Sequence, residues 1–121
     1  EKPACRVILC GGEFHASNAI FKPLNLQDTL SNLCPDIAFY SAAGVNVRQG
    51  ATCFNLEKLP VKNWALNAAQ YHVLVGDHSK FGKVRSARMG ELAQFDAIVS
   101  DCRPDDEIVA HAKAQQVKLM Y

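Results

Sequence analysis

The chain has 121 residues, which suits one compact domain with a core of its own. Hydrophobic residues make up 49% and charged residues 21%, which excludes a disordered tail; no apolar run approaches the roughly 20 residues that a membrane span needs. The formal net charge of +1, from 13 basic against 12 acidic residues, argues against a domain that grips DNA through its own backbone contacts.

Five cysteines (Cys5, Cys10, Cys34, Cys53 and Cys102) are odd in number and show no Cys-x-x-Cys spacing. That pattern fits reduced thiols in the cytoplasm, buried or idle. None of the four histidines stands at a metal-ligand spacing from another histidine or a cysteine, so neither a metal nor a cofactor is expected. Glu1-Lys2-Pro3 runs straight into a strand-like stretch, unlike a signal peptide.

In chain order, Cys5-Arg6-Val7-Ile8-Leu9-Cys10 predicts a buried strand, ended by Gly11-Gly12, a pair that permits a sharp turn and close approach of backbone to a ligand. Glu13 to Asn25, with Pro23 inside it, reads as irregular, and Gln27 to Leu33 as a short helix stopped by Pro35. A second buried strand begins at Ile37 and ends in the small residues Ser41-Ala42-Ala43-Gly44. Val45 to Thr52 alternates around Gly50, as a short hairpin does. A helix follows, with Pro60 in its first turn and Val61, Trp64, Ala65 and Ala68 on one stripe. Glu57 and Lys62 lie near its start, where the helix dipole by itself favours a carboxylate.

Tyr71 to Gly76 is an apolar, β-branched run of strand length, leading into Asp77-His78-Ser79-Lys80-Phe81-Gly82-Lys83. In an open α/β sheet the crevice beyond the carboxyl ends of the strands takes the ligand, and this loop falls there. Lys80, Lys83, Arg85 and Arg88 follow one another with no intervening acid, a stretch that attracts a phosphate or carboxylate unless its cations simply face water. Met89 to Ala93 reads as a short helical piece and Phe95 to Ser100 as another strand. Pro104-Asp105-Asp106-Glu107 opens a last helix, and Val117 to Tyr121 closes the chain as a strand. The alternation predicts one α/β structure with a mainly parallel sheet flanked by helices. Such a sheet needs helices on both faces, and two substantial helices are too few, so residues 1–121 read as the later part of a larger domain.

Leu9-Cys10-Gly11-Gly12, Ser41-Ala42-Ala43-Gly44-Val45, Glu57 with Lys62, and Asp77-His78-Ser79-Lys80-Phe81-Gly82 together resemble the effector-binding domain of the DeoR family of bacterial transcriptional repressors. The resemblance covers essentially the whole chain and is most specific in the Asp77–Gly82 block. It implies the ribose-5-phosphate isomerase / CoA-transferase-like fold and a sugar-phosphate sensor, with deoxyribose 5-phosphate as inducer and Gly11, Gly12, Gly44, Glu57, Lys62, Asp77 and Lys80 as ligand-binding residues. It also implies a homo-oligomer that reaches operator DNA through an N-terminal helix-turn-helix. Neither that element nor the family's early Gly-Thr-Thr phosphate turn occurs here, so the chain is expected to be the C-terminal portion of the sensor.

Gly50 to Lys58 is similar to the isomerases' segment ending in a catalytic glutamate, which leaves a sugar-phosphate isomerase using Glu57 as base as the alternative function. The isomerases' aspartates after the second strand have no counterpart between Ser41 and Asn46. Proton shuttling needs a positioned base and acid, so binding without turnover, with no catalytic residue, is the expected function.

Overall fold

The structure is a computed structural model and describes residues 4–17, 19–22 and 25–121. It falls into two compact units, Glu1–Leu33 and Cys34–Tyr121.

In the first unit, β1 (Glu13–His15) pairs antiparallel with β2 (Ile20–Lys22), and a short helix α1 (Leu26–Leu30) follows. The Phe14 and Phe21 rings sit 5.3 Å apart across the hairpin, the kind of cross-strand aromatic pair that stabilises a two-stranded ribbon. This hairpin replaces the irregular stretch expected from Glu13 to Asn25; Pro23 lies outside the described residues. The strand expected at Cys5–Cys10 does not form: these residues have no regular structure and are exposed, with Val7 and Leu9 each 82% accessible. An apolar run becomes a strand only when a neighbour takes up its N–H and C=O groups, and no strand among the described residues pairs with it.

The second unit carries β3 (Ile37–Ser41), β4 (Gly44–Asn46), β5 (Gly50–Cys53), α2 (Leu59–Ala68), β6 (Tyr71–Val75), β7 (Ala87–Gly90), β8 (Ala97–Val99), α3 (Asp106–Ala114) and β9 (Lys118–Met120). Strands β3, β6, β8 and β9 form a four-stranded sheet in that order, every pair parallel. The mainly parallel α/β architecture is therefore present. A smaller antiparallel sheet, in the order β4-β5-β7, stands beside it.

The helices begin where the sequence places them. Pro60 sits in the first turn of α2, and the Asp105 carboxylate caps α3 by accepting the Ile108 N–H at 3.0 Å. Strand order follows chain order, so right-handed crossovers put both helices on one face. Ala65 of α2 and Ala112 of α3 accordingly share a core with Tyr40, Leu74, Leu92, Phe95 and Ile98. Tyr40 is fixed within that core: its ring meets Phe95 edge-on at 5.4 Å and its hydroxyl pairs with His72 Nδ1 at 2.7 Å. Burial pushes the Tyr40 hydroxyl pKa up to about 12.

Two expectations are corrected. β3 is an edge strand, not a buried one, and Phe39 on its outer face is 69% exposed beside Ile37 and Tyr71. The helical piece expected over Met89–Ala93 is half strand: β7 pairs with β5 through Gly90, and only Leu92–Gln94 makes a helical turn. Ala87-Arg88-Met89-Gly90 has no β-branched residue to announce a strand; pairing with β5 overrides its local preference.

Candidate effector site

β6 delivers its last residues to the carboxyl edge of the parallel sheet, where the Gly76 N–H donates to the Val99 carbonyl at 3.1 Å. The chain then makes a 3-10 turn over His78–Lys80, capped by Asp77. One Asp77 carboxylate oxygen accepts both the Ser79 N–H, at 2.8 Å, and the Ser79 hydroxyl. The hydroxyl bond first, and the backbone bond after it, hold the Asp77 carboxyl below the usual carboxylate range. Its second oxygen accepts no hydrogen bond from the described residues. Lys80 is half-buried and its stem packs over Gly76: a Cβ at Gly76 would lie 3.4 Å from Lys80 Cγ. The Lys80 ammonium makes no hydrogen bond or ion pair with the described residues. Gly82, at φ +79°, then donates its N–H to the Val45 carbonyl at 2.8 Å and ties the far end of the loop to β4.

The start of α2 reaches the same edge. Lys62 Nζ donates to the carbonyl of Ser41, the last residue of β3, at 2.6 Å, and Ser41 lies in register with Val75 just before Gly76. Partial burial lowers the Lys62 pKa, while the backbone carbonyl holds the ammonium in place. Glu57 lies one turn earlier, exposed, in the 3-10 turn Leu56–Lys58 that feeds α2. Lys62, Asp77 and Lys80 thus occupy one sheet edge, with Glu57 on the approach to it.

Other sequence candidates have structural work to do. A Cβ at Gly44 would run into the Lys83 carbonyl and come within 2.8 Å of Thr52 Oγ1, so close packing alone requires this glycine. Gly11 and Gly12, in the first unit, adopt φ +65° and +119°, a conformation that glycine takes readily. Arg85 lies over the Phe54 ring at 4.7 Å with Nε directed at the Ala43 carbonyl, and Arg88 bonds the Gln49 carbonyl at 3.1 Å. These two cations are anchored to protein groups, whereas the Lys80 ammonium makes no such bond among the described residues.

The sequence reading missed Asp101. It follows β8, the parallel neighbour of β6, and its carboxylate accepts the His78 N–H and pairs with the His78 ring, each at 2.7 Å. The His78 bond pulls the Asp101 pKa down to about 2, and Asp101 in turn raises that of His78. The available signal was positional: a carboxylate directly after a strand that neighbours β6 ends at the same edge. Cys102 joins the pair, so that His78, Asp101 and Cys102 present potential ligand atoms within 4.8 Å of one another. Four of the five thiols, Cys102 among them, are exposed, and Cys53 is the buried one.

Two cavities lie elsewhere. One of about 240 Å³ is lined by Val47, Arg48, Glu91, Leu92, Ala93, His111 and Gln115, and one of about 380 Å³ by Arg88, Met89, Gly90, Glu91 and Gln94. Neither includes Lys62, Asp77 or Lys80.

A parallel sheet with an ordered polar turn at its carboxyl edge offers a place for a small ligand, and comparison with known proteins gives the class. Residues 1–102 match the model of the DeoR C-terminal sensor domain, and the chain belongs to that family. Among its relatives, the deoxyribose operon repressor of Escherichia coli strain K12 is 72% identical over 121 residues, which are 100% of this chain and 48% of that protein. The glycerol-3-phosphate regulon repressor of the same strain is 26% identical over 99 residues, 82% of this chain and 39% of that protein. The HTH-type transcriptional regulator GolR of Listeria innocua is 25% identical over 101 residues, 84% of this chain and 40% of that protein. The chain spans about half the length of the curated relatives it matches most fully. Among the described residues no helix is long and apolar enough to cross a membrane.

Proposed function

We propose that this chain is the effector-binding portion of a cytoplasmic transcriptional repressor, and that its effector is a phosphorylated sugar, deoxyribose 5-phosphate. The observation that carries the reading is the Asp77–Gly82 turn. It presents an ammonium, Lys80, that makes no hydrogen bond or ion pair with the described residues, beside a carboxylate whose one oxygen is fixed by Ser79. In this reading Lys80 meets the phosphate as a point charge and the second oxygen of Asp77 accepts a sugar hydroxyl. Lys62 holds the end of β3 and adds positive potential. The high identity to a protein named for the deoxyribose operon supports the choice of sugar. Operator DNA is contacted by a part of the protein outside these residues, in a homo-oligomer, and sugar binding relieves repression.

Calorimetry of the full-length protein with deoxyribose 5-phosphate tests the reading. Lys80→Ala removes a charged hydrogen bond worth roughly 1.5–3 kcal/mol, so affinity falls about 10- to 100-fold while the melting temperature holds. Unchanged affinity in that variant sinks the assignment. Turnover of pentose phosphates, lost in Glu57→Gln, is the result that would instead identify an isomerase.

A further inference from the structure

We infer that Asp101 is a positioning residue for the effector site, and that its two-point hold on His78 makes effector affinity depend on pH. The inference rests on the sugar-phosphate reading above and extends it to a residue on a different strand.

The turn that carries Ser79 and Lys80 is short and exposed at its tip, and a short exposed turn keeps one geometry only when something outside it restrains it. Asp77 restrains it from within, through Ser79. Asp101 restrains it from the neighbouring strand end: Oδ1 accepts the His78 backbone N–H at 2.7 Å, and Oδ2 pairs with His78 Nδ1 at 2.7 Å. The Ser100 hydroxyl donates to Oδ1 as well, at 3.2 Å, which orients the carboxylate. His78 is the first residue of the turn and Lys80 the last, so a shift at His78 is carried directly to the ammonium. A misplacement of about 1 Å at a binding group is enough to cost a large factor in function.

The charges around His78 come from both loops: Asp101, with Cys102 beside it, from the end of β8, and Asp77 from its own loop, with Lys80 at the far end of the turn. The two carboxylates favour the imidazolium, and Asp101, which is bonded to the ring, dominates. The hold is strongest with His78 protonated and weakens when the ring loses its charge. A neutral ring still donates one hydrogen bond to Asp101, so the backbone contact and a weaker ring contact persist at alkaline pH. Asp101→Asn keeps an acceptor for the His78 N–H and loses the charge; Asp101→Ala loses both contacts.

The test is calorimetry of the full-length protein with deoxyribose 5-phosphate from mildly acid to alkaline pH, in wild type, D101N, D101A, H78A and K80A. The phosphate titrates in the same range, so the readout is the ratio of each variant's affinity to wild type at each pH. We expect D101N to bind roughly three- to fivefold more weakly than wild type at acid pH, the scale of an exposed ion pair, with the gap closing at alkaline pH. D101A is weaker than D101N throughout, and the affinity of wild type relative to H78A declines as the pH rises. Melting temperatures move by no more than the small, pH-dependent shift that an exposed ion pair allows, because the groups are exposed. If wild type binds and K80A does not, yet D101N and D101A bind like wild type, the inference is overturned and the effector reading stands. A D101N gap that is the same at all pH values overturns the charge-dependent hold. If wild type itself does not bind, the effector reading fails and takes the inference with it. Should D101A fail to fold, D101N and H78A carry the same comparison.

Discussion

Thr52→Val tests the joint that connects the Asp77–Gly82 loop to the rest of the second unit. Thr52 is a buried polar residue, 1% exposed, on β5. Its hydroxyl donates to the Gly44 carbonyl at 3.2 Å and accepts the Arg85 N–H at 2.8 Å. It therefore ties the β4–β5 hairpin to the segment that runs from the Lys80 turn into β7. Valine has nearly the same shape but leaves the Arg85 N–H unpaired, at roughly 1–3 kcal/mol, and takes a weaker bond of about 1 kcal/mol from the Gly44 carbonyl. The expected destabilisation is about 2–4 kcal/mol. Trp64, the sole tryptophan, is half-buried on α2 against the core and reports unfolding by fluorescence. With a urea slope of about 1.5 kcal/mol/M, the midpoint moves down by roughly 1.3–2.7 M with the slope unchanged. Thr52→Ser keeps the hydroxyl and loses one methyl, for about 1 kcal/mol. If valine is as mild as serine, the hydroxyl bridge is not what holds the joint and this reasoning is wrong.

Leu74→Ala, on the central strand at 0% exposure, is expected to cost about 2–5 kcal/mol in the same urea experiment; a loss below about 1 kcal/mol would show that the core around β6 is not closely packed. The stability difference between wild type and Asp101→Asn should itself depend on pH. Asp101 is lowered from 3.8 to about 2, so its contribution is present above 3.8 and is lost as the pH falls through about 2. His78 is raised from 6.5, so its contribution is full below 6.5 and is lost as the pH rises through the raised value. The difference in melting temperature is therefore greatest between about 4 and 6.5, and one that keeps growing at alkaline pH contradicts the pairing.

Much of this fold was legible because its signals are local. The helices α2 and α3 carry both an apolar stripe and a start signal, and β6 and β8 are largely apolar runs bounded by turns. The failures share one cause, the dependence of strands on partners. Cys5–Cys10 has the composition of a strand with no partner among the described residues, while β7 and the β1–β2 hairpin have partners without the composition. The site divides in the same way. Asp77, Ser79 and Lys80 are neighbours in sequence and were visible as a motif, whereas Asp101 is 23 residues from His78 and meets it only because β6 and β8 are adjacent and parallel. The small residues ending at Gly44 leave room for a ligand or a neighbouring backbone; the backbone is there, in the carbonyl of Lys83, and nothing near Gly44 in sequence says which segment supplies it.

The most direct test of the central claim is to follow the backbone amide spectrum of the full-length protein as deoxyribose 5-phosphate is added. The account predicts that the largest changes within these residues fall on Gly76 to Gly82, with Ser41, Lys62 and Asp101 responding beside them. Changes concentrated instead around Val47, Arg48, Glu91, His111 and Gln115, the lining of the 240 Å³ cavity, would place the effector away from the Lys80 turn and contradict the account.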